Sequence, residues 1–160
     1  MPDIVDLAGV TAERNAADGT LVVERVFSAP PAEVFRAWTD PAMLTQWWGP
    51  EGFVTPECTM DVRPGGAWRT KMVGPDGTHV VSGVYREIAP PTRLVMTWGW
   101  EADGKRGHET EVAVTFQPVD GGTRVRLAQS LFLTVEQRDA HTMGWNSTFN
   151  DLERLFARPQ

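Results

Sequence analysis

Residues 29–50 read APPAEVFRAWTDPAMLTQWWGP. Proline is well suited to the first turn of a helix, and Pro31 and Pro41 each stand where a helix could begin. Val34 and Trp38 lie four residues apart, which places both side chains on one helical face. The second half repeats this spacing before a Gly-Pro pair ends it. The stretch therefore predicts two short helices, each with an aromatic apolar face.

A strand precedes these helices and a long region of alternating residues follows them. Leu21–Phe27 is rich in β-branched residues, as strands are. Between Phe53 and Leu133 the apolar residues recur at every second position, and turn sequences separate five such runs. Close-spaced strands joined by short turns indicate an antiparallel meander. The residues predicted to share the apolar face include Val54, Pro56, Cys58, Met60, Val62, Trp68, Met72, Leu94, Met96, Trp98, Trp100, Val112, Val114, Phe116, Val125 and Leu127.

The last predicted element is a long amphipathic helix. Thr134, with Gln137 three residues later, forms a capping-box pattern. Trp145, Phe149, Leu152 and Phe156 then follow a helical stripe. A curved antiparallel sheet wrapped around this helix, with the two short helices covering one end, buries all of these faces. The predicted fold class is therefore α+β.

Composition limits the domain organisation and the partners. The chain has 160 residues, a net charge of −6 and a single cysteine, Cys58. We expect a flexible leader over residues 1–19 and one domain over 20–158. The acidic balance argues against nucleic acid and against an anionic membrane surface as partners. No signal peptide and no long apolar segment is evident, which predicts a soluble, cytoplasmic protein.

Several ordered motifs resemble one known family. They are the run Ala29–Pro41, then Trp47-Trp48-Gly49-Pro50-Glu51-Gly52-Phe53, Asp61–Gly66, Pro75-Asp76-Gly77, Gly83–Leu94 and Gly144-Trp145. Together they resemble the activator-of-heat-shock-chaperone-ATPase homologues of the START-like, or SRPBCC, superfamily, over about Leu21 to Phe156. The resemblance implies a helix-grip fold, in agreement with the residue patterns.

The resemblance implies much less about activity. The superfamily includes lipid and hormone carriers, polyketide cyclases and ring-hydroxylase subunits. The namesake co-chaperone has two domains, and this chain resembles only the C-terminal one. A role as regulator of a heat-shock chaperone ATPase, part of a stress response, is therefore possible but disfavoured.

The aromatic residues of the sheet and the last helix are candidates for lining a cavity. Trp and Met side chains suit flat or irregular apolar ligands. Helical spacing puts one of Trp47 and Trp48 in the core and the other at a rim, without deciding which. His141 lies one turn before Trp145 and could supply a polar contact. The predicted ligand-binding residues are Trp47, Trp68, Met72, Met96, Trp98, Trp100, His141, Trp145 and Phe149.

Catalytic and metal chemistry receive little support. The three histidines, His79, His108 and His141, have no metal-ligand spacing with each other or with Cys58. No serine lies in a nucleophile elbow. The glycines at Arg63–Gly66 lack the strand-loop-helix context of a phosphate-binding loop. We predict no catalytic residue, no metal and no cofactor, so that an enzyme is the less favoured class.

The leading hypothesis is a START-like domain that binds an apolar or aromatic small molecule between its sheet and its last helix. One alternative is a cyclase- or dehydratase-like enzyme that uses the same cavity, which would need at least two converging polar groups. Chaperone regulation is the other alternative. The oligomeric state expected is a monomer or a homodimer.

Overall fold

A computed structural model describes residues 19–157, so the predicted leader falls almost entirely outside the described part of the chain. The elements follow one another in the order β1 (Leu21–Phe27), α1 (Pro31–Thr39), α2 (Pro41–Leu44), β2 (Val54–Met60), β3 (Ala67–Gly74), β4 (Gly77–Ala89), β5 (Arg93–Ala102), β6 (Lys105–Arg106), β7 (Thr110–Val119), β8 (Gly122–Ser130) and α3 (Val135–Ala157).

The strands form one antiparallel sheet that curves around α3, which confirms the predicted helix-grip fold. The strand order is β1-β8-β7-β5-β4-β3-β2, and β6 pairs with β5 as a short outer hairpin. The chain thus starts at one edge, crosses to the other through α1 and α2, and returns strand by strand. The hydroxyl of Thr134 accepts the backbone N–H of Gln137 at 3.1 Å and caps the start of α3, as predicted. In the described region no helix is long and apolar enough to cross a membrane.

The second short helix is shorter than the sequence pattern predicts. It ends at Leu44, and the backbone N–H groups of Trp47 and Trp48 still reach the carbonyl of Leu44 at 3.2 and 3.0 Å. Consecutive side chains on a helix point about 100° apart, so a continued helix would expose one of the two rings. Leaving the helix allows both indoles to be buried.

The alternation predicted for β2 is wrong at its start. The pairing of β2 with β3 shifts register between Val54 and Glu57, and the irregularity turns Val54 outward with 62% of its surface exposed. Thr55 is buried instead, and its hydroxyl donates to the carbonyl of Trp48 at 3.0 Å. A bulge reverses which side chains face the core, because the side-chain period of a strand is two.

The alternation of β5 is confirmed on the core face at Leu94, Met96 and Trp98. On the opposite face Val95 and Thr97 are also buried, and the side chain of Arg106 packs over Gly99 and donates to the Ser82 hydroxyl at 3.0 Å. On β2, Cys58 packs against the core, is half-buried and forms no disulfide, and burial raises the pKa of its thiol to about 11. The thiol is therefore protonated and unreactive at neutral pH.

Candidate functional site

An aromatic cavity of about 400 Å³ lies between the concave face of β3–β5, the helix α3 and the segment after α2. Its walls are mostly indole, phenyl and thioether groups. The lining residues are Trp48, Gly49, Pro50, Phe53, Met72, Asp76, His79, Trp98, Trp100, Ala140, His141, Gly144, Trp145 and Thr148.

The cavity exists because α3 carries small side chains at one level. Ala140 and Gly144 lie one helical turn apart and both face the space. A Cβ atom placed on Gly144 would meet no heavy atom within 4 Å, so the helix leaves open room at this point. One and two turns further on, Phe149 and Leu152 are completely buried and fill the gap between helix and sheet.

Three indoles form the floor of the cavity. The ring centroids of Trp48 and Trp98 are 5.8 Å apart, those of Trp48 and Trp145 5.8 Å, and those of Trp98 and Trp145 5.2 Å. Such separations are typical of favourable aromatic pairs. The indole N–H of Trp48 donates to the Thr70 hydroxyl at 2.9 Å, which holds the ring from behind.

A buried polar chain fixes the third floor ring. The indole N–H of Trp145 donates to the side-chain oxygen of Gln129 at 2.8 Å, and the amide of Gln129 donates to the Thr110 hydroxyl at 2.8 Å. That hydroxyl in turn donates to the carbonyl of Trp98 at 3.2 Å. Gln129 is fully buried, so its hydrogen bonds link α3 to β8, β7 and β5 at a point where an unpaired amide would be costly.

The rim is a chain of rings around the opening. Phe53 contacts His79 at a centroid distance of 5.8 Å, His79 contacts Trp100 at 6.3 Å, and Trp100 contacts His141 at 5.9 Å. Trp100 is exposed over 38% of its surface, unlike the floor rings. The rim thus joins the β3–β4 hairpin, β5 and α3 through aromatic contacts.

A hydrogen bond between Trp100 and His141 connects β5 to α3 across one side of the rim. The indole N–H of Trp100 lies 2.9 Å from Nε2 of His141, and Nδ1 of His141 lies 2.7 Å from the carbonyl oxygen of Gln137. An indole can only donate and a carbonyl can only accept, so the histidine is neutral with its proton on Nδ1. Burial lowers the pKa of His141, which agrees with this assignment.

The opposite lip is the segment that follows Trp48. Gly49 adopts a φ of +98°, a conformation that suits glycine, and lies against Met72. Phe53 packs onto Gly74, where a Cβ atom would overlap its ring. The close backbone approach at these two glycines lets the lip lie flat on β3.

Glu51 ties this lip to α3. Its carboxylate accepts hydrogen bonds from Arg154 and from the Asn150 amide, the latter at 3.1 Å, and its backbone N–H donates to the Ser147 hydroxyl at 2.8 Å. The Arg154 guanidinium beside it lowers the pKa of the Glu51 carboxyl. The lip is therefore held from outside the cavity by charged groups that do not line it.

Polar groups inside the cavity are few. Asp76 and His79 pair at the rim, with Oδ1 and Nε2 3.2 Å apart. Thr148 lines the wall and is buried, and its hydroxyl forms no hydrogen bond with another described residue. The buried N–H of Trp98 likewise has no hydrogen-bond partner within residues 19–157. In the same part of the chain no three His, Cys, Asp or Glu side chains are grouped as metal ligands.

The structure brings five of the nine predicted ligand-binding residues together around the cavity: Met72, Trp98, Trp100, His141 and Trp145. The other four, Trp47, Trp68, Met96 and Phe149, do not line it and belong to the packed core. Trp48, not Trp47, is the member of its pair that reaches the cavity. Contact of any of the nine with a ligand stays a prediction.

Three of these four core residues, Trp47, Trp68 and Phe149, are held away from the cavity by specific contacts. The N–H of Trp47 donates to the carbonyl of Ala37 at 3.0 Å, which turns its ring under α1. The N–H of Trp68 donates to the carbonyl of Thr97 at 3.1 Å, behind the floor of the cavity. Phe149 lies edge-on to Phe27 with centroids 5.5 Å apart.

Sequence reasoning missed most of the rim and the small residues. Ala140 and Gly144 could have been predicted to line the cavity, since they share a helical face with His141 and Trp145. No sequence pattern could place Asp76 and His79 at the cavity, because only the curvature of the sheet brings the β3–β4 hairpin over the opening.

The sequence model of the family described as "Activator of Hsp90 ATPase homolog 1-like protein" matches residues 28–157. The crystal structure of the AHSA1 protein from Silicibacter pomeroyi is 34% identical, with a TM-score of 0.78 over 86% of this chain and 97% of that one. A protein from Chromobacterium violaceum is 29% identical, with a TM-score of 0.76 over 88% and 99% of the two chains. A protein from Rhodobacter sphaeroides is also 29% identical, with a TM-score of 0.74 over 88% and 93%. No curated protein matches the chain.

Proposed function

The chain belongs to the Activator of Hsp90 ATPase homolog 1-like family, and from that premise we propose that it binds an apolar or aromatic small molecule between its curved sheet and α3. The observation that carries the proposal is an open space of about 400 Å³ whose walls include four indoles. Ligand pockets in proteins occupy roughly 300–1,000 Å³ and are lined mainly by apolar and aromatic side chains with a few polar groups.

The arrangement of hydrogen bonds supports a preformed pocket. The N–H groups of Trp48, Trp100 and Trp145 are each held by a protein acceptor. Rings fixed in this way lose little conformational freedom when a ligand arrives, which lowers the entropic cost of binding. The pocket is therefore built to receive a flat apolar group without rearranging its floor.

Gly144 offers a direct test, because a larger side chain there would occupy the cavity. Gly144→Leu should reduce the affinity for the neutral fluorescent probe N-phenyl-1-naphthylamine by about tenfold or more, since its side chain enters space that a ligand needs. Gly144→Ala is the matched control. It removes the same glycine but adds only one methyl group, and it should stabilise the helix by about 0.5–1 kcal/mol.

The measurement is a fluorescence titration of the probe with each purified variant. Wild type and Gly144→Ala should bind alike, whereas Gly144→Leu should bind about tenfold or more weakly. Equal binding by all three variants, or no binding by the wild type, would contradict the proposal.

A cyclase- or dehydratase-like enzyme is the second candidate, and the Asp76–His79 pair is the observation that favours it. A carboxylate beside an imidazole can orient the ring as a general base at the edge of an apolar cavity. Incubation with a small-molecule extract, followed by mass spectrometry, tests this function. A metabolite consumed by the wild type and spared by His79→Gln supports it, and an unchanged profile with the wild type contradicts it.

A further inference from the structure

We infer that the molecule taken by this cavity is an apolar cation, with an alkylated ammonium group on an apolar body, and that carboxylates are rejected. The inference rests on the proposed function, since it specifies the charge of the ligand of the same cavity. Three features carry it: the charges at the cavity, its hydrogen-bond donors and its ring walls.

The cavity presents no permanent positive charge. No lysine or arginine lines it among the described residues, and the carboxylate there is that of Asp76. Asp76 contacts the His79 ring, with Oδ1 and Nε2 3.2 Å apart. His141 is neutral because its Nε2 accepts the Trp100 N–H. The nearby cation Arg154 is paired with Glu51 and does not line the cavity.

The cavity also offers few hydrogen-bond donors to an anion, and the unpaired one in its wall is the neutral hydroxyl of Thr148. Three of its four indole N–H groups already donate to protein acceptors. The fourth, on Trp98, is shielded from solvent. A carboxylate that leaves water for this site would exchange its hydration shell for one neutral hydroxyl donor, which is strongly unfavourable.

A cation meets the opposite environment. The faces of aromatic rings carry partial negative charge, and tryptophan attracts cations most strongly. Trp48, Trp98, Trp100 and Trp145 all line the space. An ammonium group without N–H donors, such as trimethylammonium, needs no acceptors and sheds its water easily. Where an N–H is present, Thr148 and Asp76 are the available acceptors.

The experiment compares three probes of similar size and different charge. Benzyltrimethylammonium is the cation, neopentylbenzene is its neutral isostere, and 4-phenylbutanoate is the anion. Binding is followed through the indole N–H signals of the seven tryptophans in nitrogen–proton NMR spectra. The signals of the lining indoles should shift, whereas those of Trp38 and Trp47 should stay in place.

We expect the cation to bind about tenfold more tightly than its neutral isostere and the anion to bind most weakly. Asp76→Asn should lower the cation affinity by about two- to fivefold, because an exposed carboxylate is partly screened. Asp120→Asn changes the net charge equally, on the β7–β8 turn outside the cavity lining, and should leave the affinity unchanged.

The outcomes separate this inference from the function beneath it. If the neutral probe binds as tightly as the cation, or the anion binds most tightly, the inference is overturned and the proposed function stands. If Asp76→Asn and Asp120→Asn lower the affinity for the cation equally, the preference comes from the net charge of the protein and the assigned role of Asp76 at the cavity is wrong. If none of the three probes shifts the lining signals, the proposed function fails as well.

Discussion

The tryptophan cluster has two ends that differ in what lies opposite the rings. At one end Trp38 and Trp47 are 1% exposed each, with centroids 4.8 Å apart beneath α1 and α2. At the other end Trp100 is 38% exposed beside an open space and a neutral histidine. The same type of side chain serves as core at the first end and as cavity wall at the second. Trp145 connects the two, since it contacts Trp38 and also Trp98, the neighbour of Trp100.

The two ends differ because different surfaces pack opposite the tryptophan rings. At the closed end, helices supply bulky side chains that fill the space between the rings. At the open end, α3 supplies Ala140 and Gly144. Substitutions should therefore act on stability at the closed end and on binding at the open end.

The largest effect should come from removing a ring at the closed end. Trp38→Ala should lower the free energy of unfolding by about 3–5 kcal/mol, because the ring is surrounded by other aromatic groups and a cavity would remain. Trp100→Ala is the matched substitution at the open end and should cost about 1 kcal/mol, since water can fill the space that it leaves. Urea unfolding of both variants measures the difference, and similar losses would contradict the division into two ends.

A smaller effect is expected at Gln129, which links the floor of the cavity to the sheet. Gln129→Leu leaves the N–H of Trp145 buried without an acceptor and should cost about 1–3 kcal/mol. The same urea experiment measures the loss, and the Trp145 indole signal should move in the NMR spectrum. An unchanged stability would mean that water or another acceptor replaces the amide.

A still smaller effect should appear with pH at the Trp100–His141 bond. The pKa of His141 is lowered in the folded protein, whereas it is about 6.5 in an unfolded chain. Above that value both states are neutral. As the pH falls through 6.5, the unfolded state binds the proton first, so stability is lost towards the lower folded pKa.

His141→Gln should abolish this part of the pH dependence while keeping an acceptor for Trp100. Between pH 7.5 and pH 5.5 the free energy of unfolding should fall by up to about 1 kcal/mol more in the wild type than in the variant, after allowance for solvent screening. The other two histidines cancel in this difference. A larger fall in His141→Gln would reverse the assigned protonation state.

The smallest effect should be confined to the lip. Glu51→Gln removes the charge that faces Arg154 but leaves an acceptor for Asn150. Amide hydrogen exchange should become faster at Glu51 and Phe53, because the lip opens more often, and should stay the same at Trp38. Faster exchange at both ends would show that the clamp supports the whole domain.

Local sequence signals predicted the elements well and the site in part. Pro31, Pro41 and Thr134 mark the starts of three helices because their effects act within one helical turn. The outward turn of Val54 was not predictable, since it follows from a register shift between two strands. No local pattern decided which of Trp47 and Trp48 would reach the cavity, because that depends on acceptors distant in sequence, the Ala37 carbonyl and the Thr70 hydroxyl.

The sequence by itself determined the three helices, most of the strands, the family and the aromatic character of whatever space they enclose. Periodicity and turn chemistry act over a few residues, so they can be read along the chain. Only the tertiary structure decided which rings border a void and which are packed, and that Asp76 stands at its opening. A void is the mismatch between two facing surfaces, here α3 at Gly144 and the sheet at Trp98, and neither surface alone encodes it.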